Sequence, residues 1–154
     1  MADVIVRPAV PADVADVERL TRAAYRVYVP AIGREPAPMS ADHAALVDAG
    51  EVRVAEVDGR VAGALVTRPH GGALLLESVA VDPSLQGRGI GRALIADAEA
   101  QAAELGLEAV ELYTNAAMTA NLALYPRLGY AEVGRRTEDG FDRVFFRKRV
   151  APPR

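Results

Sequence analysis

The chain has 154 residues, and its 18 Lys+Arg against 21 Asp+Glu leave a net charge of −3. That length suits one domain of roughly 100–200 residues, and the charge balance provides no basic footprint for nucleic acid. A content of 51% hydrophobic and 25% charged residues excludes a disordered chain, and the absence of cysteine excludes disulfides, thiolate metal sites and a Cys nucleophile.

Val4–Val6 read as a short strand stopped at Arg7-Pro8. Asp13 is a good N-cap, and Val14, Val17, Leu20, Thr21, Ala24, Tyr25 and Tyr28 recur at helical steps, so an amphipathic helix runs to Val29-Pro30. Residues 30–39, rich in proline, read as an irregular loop. Ser40 caps a short second helix to Asp48, closed by Gly50.

Val52, Val54 and Val57 precede Asp58-Gly59, and Val61–Val66 follow it, which spells a hairpin. A second hairpin turns through His70-Gly71-Gly72 into Leu74–Val81. A glycine-rich connection then leads into a helix from Gly89 to Leu105, with Ile90, Ala93, Leu94 and Ala98 on one side. Val110, Leu112 and Thr114 make a strand, Thr119–Leu128 a short helix, and Ala131–Arg136 with Asp142–Arg149 a closing pair.

The order β-α-α-β-β-β-α-β-α-β-β predicts a mixed α/β (α+β) fold: a mostly antiparallel central sheet of about six to seven strands, with at least one parallel pairing and about four helices. Residues 1–150 are expected to form one domain, and the tail Ala151–Arg154 to fray.

Gln86-Gly87-Arg88-Gly89-Ile90-Gly91-Arg92 leaves a strand and opens a helix. Its glycines let the backbone approach a ligand, and the free N–H groups of the first helical turn, with the helix dipole, suit a diphosphate. Arg88 and Arg92 add positive charge. A Rossmann fingerprint fails at Arg92, and a Walker loop lacks its Lys-Ser/Thr. The competing reading is a turn that only permits close helix–strand packing.

Glu77-Ser-Val-Ala-Val-Asp-Pro83 followed by Gln86–Leu94 resembles the acetyl-CoA-binding motif of the GCN5-related N-acetyltransferases, the GNAT superfamily. That pattern, Gln/Arg-x-x-Gly-x-Gly/Ala, maps onto Gln86, Gly89 and Gly91, and Asn121–Tyr130 resembles the family's late helix and turn. The resemblance covers almost the whole chain in order. It implies direct transfer of acetyl from acetyl-CoA to an amine in a ternary complex, leaving CoA as product. The lack of Cys agrees with direct transfer. The alternative is a non-catalytic acyl-CoA-binding sensor or assembly module.

The resemblance assigns the diphosphate to main-chain N–H groups from Gln86 to Arg92. It assigns polarisation of the thioester carbonyl to the Val79 N–H, where the strand loosens, and pairing with the pantetheine arm to Val81. Tyr125 stands where relatives carry the general acid that protonates the leaving thiolate. Glu77 interrupts an apolar strand and is the leading base, directly or through water; the other reading is a solvent-facing carboxylate. Many relatives place Asn seven residues before that Tyr, where this chain has Met118; Asn121, one turn before Tyr125, is a weaker candidate to touch the pantetheine arm.

Some relatives have Glu after Leu112, where this chain has Tyr113, which either lines the acceptor site or packs across strands. The acceptor is expected against Tyr25–Met39: Tyr25 and Tyr28 share a helix face, and Arg34 and Glu35 are candidates to read charge. His43 and His70 read as surface residues far apart in sequence, which argues against a metal site, and Arg143, Arg147, Lys148 and Arg149 read as a solvated strand. Neither a run of roughly 20 apolar residues nor a signal-peptide pattern is present, so no membrane partner and a cytoplasmic address are expected. The resemblance leaves a homodimer open.

Overall fold

The computed structural model describes residues 3–150; the expected tail Ala151–Arg154 lies outside them. The strands are β1 (Val4–Pro8), β2 (Val52–Val57), β3 (Arg60–His70), β4 (Ala73–Val81), β5 (Ala109–Asn115), β6 (Ala131–Glu138) and β7 (Phe141–Arg149). The helices are α1 (Val14–Arg26), α2 (Val29–Ile32), α3 (His43–Asp48), α4 (Ile90–Glu104) and α5 (Thr119–Arg127). One sheet runs in the order β1-β2-β3-β4-β5-β7-β6. The β4–β5 pairing is parallel and the other pairings are antiparallel. This is the predicted mixed sheet.

Local chemistry sets the turns. Asp58 and Gly59 have φ of 52° and 75°, so both central residues of the β2–β3 turn are left-handed, the geometry Asp-Gly tolerates. Alternation along β3 then sends Leu65 into one core and Ala64 and Val66 into the other. Leu65, Leu76, Val110, Leu112, Val144 and Phe146 bury against Leu94, Ile95 and Ala98 of α4. On the opposite face Val17 and Leu20 of α1 and Val47 of α3 cover Val52, Val54, Ala64, Val66 and Ala80.

Gly63 permits the close seating of α4. A β-carbon there would stand 2.9 Å from Leu94 Cδ1 and 3.0 Å from Ile90 Cγ2. The first turn of α4, and with it the loop 86–89, is thereby held against the sheet.

Three local expectations are corrected. Asp13 precedes α1 but caps no N–H of that helix. Its carboxylate instead accepts from the Val10 N–H (2.8 Å) and from both terminal nitrogens of Arg7 (2.8 and 3.0 Å), because a bidentate guanidinium outbids a single amide. The cap of α3 is Asp42, whose side chain accepts from the Ala45 N–H, so the helix starts after Ser40. The loop after α1 contains the one-turn helix α2, because Pro30 sits in its first turn, where no N–H is missed, and Gly33 closes it at φ 91°.

The Arg7 guanidinium holds the Asp13 carboxyl below its usual range. A depressed carboxylate adds stability above its unfolded pKa, and that stability disappears as pH falls through the folded value. Asp13→Asn should therefore cost about 1.5–3 kcal/mol at pH 7, the worth of charge-assisted hydrogen bonds. Urea unfolding should show the gap to the unsubstituted protein narrowing toward pH 3, about where Asp protonates. A gap independent of pH would show that the ion pair adds nothing.

Candidate functional site

The site begins where two strands part. The β4–β5 ladder pairs Ala73–Leu76 with Ala109–Leu112 and ends there. Beyond it β4 continues to Val81 beside β3, while β5 continues to Asn115 beside β7. Glu77 sits at the parting, unmatched in the register between Leu76 and Ser78, so β4 carries a bulge there.

The parting frees main-chain groups. The Asp82 N–H donates to the Ala62 carbonyl (2.8 Å), and Ala80 stands opposite Ala64. Alternation then turns the N–H and C=O of Ala80 toward β3 and those of Val79 and Val81 away from it, onto the open edge. That edge is a template for an extended partner. The Tyr25 hydroxyl from α1 already donates to the Val79 carbonyl at 3.2 Å. Burial pushes the Tyr25 phenol well above the ordinary tyrosine value, so it remains a donor.

Along this edge lies a groove of about 350 Å³, lined by Val79 and Val81, by Gln86, Gly87, Gly89, Gly91 and Arg92, and by Tyr28, which lies past the end of α1 in the turn before α2. The first intrahelical bond into α4's interior is Ala93 N–H to Gly89 O, and Gly89 brings no capping side chain, so the N–H groups of Ile90, Gly91 and Arg92 stand without helical acceptors. No acidic residue lies in that turn. At Gly87 and Gly89, both left-handed, a β-carbon would meet nothing within 4 Å. Open space over bare amides beside Arg92 fits a diphosphate. The Ile90 side chain is buried in the core, so only its backbone serves the groove. Arg88 is exposed and lies outside the lining residues.

A second, smaller chamber of about 60 Å³ opens on the other side of Tyr125. Tyr25, Val79, Met118, Asn121 and Tyr125 line both spaces, so the two meet there. Tyr125 is only 3% exposed, packed edge-on to Tyr130 (5.8 Å) and tilted on Phe146 (5.6 Å). Its hydroxyl makes no hydrogen bond to another described residue, and burial pushes its pKa up to about 12. Asn121 donates to Thr114 Oγ1 at 3.1 Å, which ties α5 to β5.

The chamber's charged lining residues are Glu77 and Arg143. Glu77 is ion-paired with Arg68 at 2.9 Å. Tyr113 lines the chamber, so it does border this space, and it also packs on Phe145 at 5.7 Å. Tyr28 lines the groove and not the chamber. Pro36, Ala37 and Pro38 close the chamber from the loop the sequence pointed to. Arg34 and Glu35 in that loop have protein partners: Arg34 lies 3.6 Å over the Phe141 ring and donates to the Asp139 carbonyl, and Glu35 accepts from Arg22 at 2.9 Å. Arg34 braces the loop against the β6–β7 hairpin and Glu35 ties it to α1, so neither stands free to read charge.

Two expectations about charged residues are overturned. His43 is 2% exposed, not a surface residue, and burial lowers its pKa; its Nδ1 has no partner among the described residues, and it borders a small cavity shared with Glu77 and Ser78. Arg143 is not solvated: its side chain is 13% exposed, 4.4 Å over the Tyr113 ring. Lys148 also has partners, Glu99 (2.9 Å) and the Leu128 carbonyl (2.8 Å). Alternation put Arg143 on the face of Tyr113, but only the packing of the distant loop 36–38 shows that this face is covered.

The model of the Acetyltransferase (GNAT) family matches residues 15–130. Mycothiol acetyltransferase of Cellulomonas flavigena is 37% identical over 89 residues, covering 51% of this chain and 26% of its own length. The mycothiol acetyltransferase of Clavibacter sepedonicus is 38% identical over 77 residues, with 50% and 25% covered. The chain thus spans about a quarter of the length of these curated relatives. The PaiA N-acetyltransferase from Thermoplasma acidophilum, solved in complex with coenzyme A, superposes with a TM-score of 0.80 at 15% identity over 96% of this chain and 99% of that one. A GNAT-family acetyltransferase from Listeria monocytogenes gives 0.75 at 20% identity over 96% and 95%. At these identities the structural likeness is one of fold.

Proposed function

Since the chain belongs to the acetyltransferase (GNAT) family, we propose that it transfers acetyl from acetyl-CoA directly to the primary amine of a small molecule or peptide, with both substrates bound together. The observation that carries this reading is the meeting of groove and chamber at Val79 and Tyr125. One space suits a long, anionic, strand-like donor, the other a compact acceptor, and they share a wall where a bond between the two can exchange.

When bound, acetyl-CoA supplies an activated acyl thioester. The N–H groups of the 87–92 loop hold its diphosphate, and the open edge of Val79 and Val81 aligns the amide-bearing arm. The Val79 N–H donates to the carbonyl oxygen as negative charge grows there. Glu77, through water, takes the proton the amine loses as its nitrogen bonds to carbon. Tyr125 donates to sulfur as the carbon–sulfur bond breaks, and solvent restores its proton. Its raised pKa keeps the phenol protonated as a donor throughout the neutral range.

Thiol release from acetyl-CoA, measured across a panel of primary amines, tests the proposal. Amine-dependent release is expected. Tight binding of CoA with no release for any amine would instead support a sensor.

A further inference from the structure

The acceptor chamber contains a charge, that of Arg143, which acetyl transfer to a plain amine does not use. Arg143 reaches it from β7 with its side chain only 13% exposed, 4.4 Å over Tyr113 and 5.5 Å over Phe141. Holding a guanidinium this far from water is costly unless an anion compensates. Its own compensation is thin. Arg143 touches Glu138 by a single 3.3 Å contact, and Glu138 also serves Arg136 at 3.4 Å. Across the chamber, Glu77 already has Arg68 at 2.9 Å. The chamber's charged lining is therefore one carboxylate with its own cation and one guanidinium whose single carboxylate is shared with Arg136.

Resting on the acetyltransferase reading above, we infer that the acceptor is an amino acid or a similarly compact amino-carboxylate, whose carboxylate is bound by Arg143 while its amine points to the Val79–Tyr125 junction. Arg143 supplies a planar fork suited to a carboxylate, and its seating on two aromatic rings fixes that fork in advance. Arg143, Val79 and Tyr125 all line the one small chamber, so the carboxylate and the amine are to be bridged by a compact acceptor. Tyr25, Pro36, Pro38 and Phe141 leave apolar wall for a small side chain. A simple alkylamine would leave Arg143 with only the carboxylate of Glu138 that it shares with Arg136, and a diamine would set a second cation against it.

The test compares an amino acid, its decarboxylated amine and its carboxamide (leucine, isopentylamine and leucinamide) at equal concentrations of free base, with a leucyl dipeptide as a fourth arm. Thiol release should favour the free amino acid by ~10- to 100-fold in kcat/KM, the range of a charge-assisted hydrogen-bonded pair. Arg143→Gln should collapse that preference to about 3-fold or less, mainly through KM, since an interaction made equally in ground and transition state affects KM alone. Arg143→Lys should recover part of it. The affinity of each variant for CoA, and its thermal midpoint, report whether the fold survives.

Equal turnover of the three leucine derivatives, preference for the dipeptide, or a preference that survives in Arg143→Gln would overturn the inference while leaving acetyl transfer intact. Should no amine release thiol, the transfer reading fails first; leucine binding to the protein–CoA complex by calorimetry, lost in Arg143→Gln, would still sustain the carboxylate site, and absence of such binding would end it.

Discussion

Tyr125→Phe should lower kcat by about 100-fold or more, the low end of what a positioned acid contributes, while the Kd for acetyl-CoA stays within about 2-fold. The split follows from the packing. The ring packs edge-on to Tyr130 and tilted on Phe146, and phenylalanine preserves those contacts. The hydroxyl bonds to no other described residue, so its removal strands no protein donor or acceptor. The proposed diphosphate site is the backbone of the loop 87–92, to which the Tyr125 hydroxyl makes no hydrogen bond. Unchanged kcat would remove Tyr125 as the acid.

The pH profile offers a second readout. In the proposed mechanism the active form of Tyr125 is the protonated one. With its pKa pushed up to about 12 by burial, that form persists as pH rises past the ordinary tyrosine value of about 10. The profile of kcat should therefore show no falling limb from this group below about pH 11. A tyrosine-dependent fall centred near pH 10, absent in Tyr125→Phe, would mean the hydroxyl is solvated and the cavity wall is not as the packing has it.

The largest effect on donor binding is expected at Gly89. Gly89→Glu should weaken acetyl-CoA binding by ~100-fold or more, equivalent to about 2.7 kcal/mol. Three causes act together. Gly89 has φ of 76°, where a β-carbon costs about 1–2 kcal/mol. The space a side chain would enter holds no protein atom within 4 Å and is the space assigned to the diphosphate. The added carboxylate sits at the positive end of α4, where it competes for the same amides. Gly89→Asn keeps a residue tolerant of the left-handed region and adds no charge, so it should lose less. Calorimetry on both variants decides the matter; full affinity in Gly89→Glu would refute the loop assignment.

Much of this architecture was legible because it is encoded locally. Asp58-Gly59 specifies its turn by residue type, and the alternation of Ala64, Leu65 and Val66 in β3 sorts them between the two cores. The loop 86–92 announces itself by its glycines, two of which, Gly87 and Gly89, take left-handed backbone in the structure. What sequence hid was every feature that depends on a distant neighbour. Asp13 has a helix-capping side chain, but Arg7 takes it, a choice set by how β1 passes the start of α1. His43 is an ordinary surface type until α3 turns it against the sheet. Arg143 lies among basic residues of a terminal strand, and nothing in that stretch reveals that Pro36–Pro38, beside Arg34 on Phe141, line the same chamber as it does. The same reach across the chain converts Tyr25 from a helix-face aromatic into a donor to the Val79 carbonyl.

A crystal structure with coenzyme A bound tests the central claim most directly. The diphosphate should lie within hydrogen-bond distance of main-chain N–H groups between Gly87 and Arg92, with the sulfur next to the Tyr125 hydroxyl. A diphosphate held anywhere else, or a sulfur facing away from Tyr125, would contradict it.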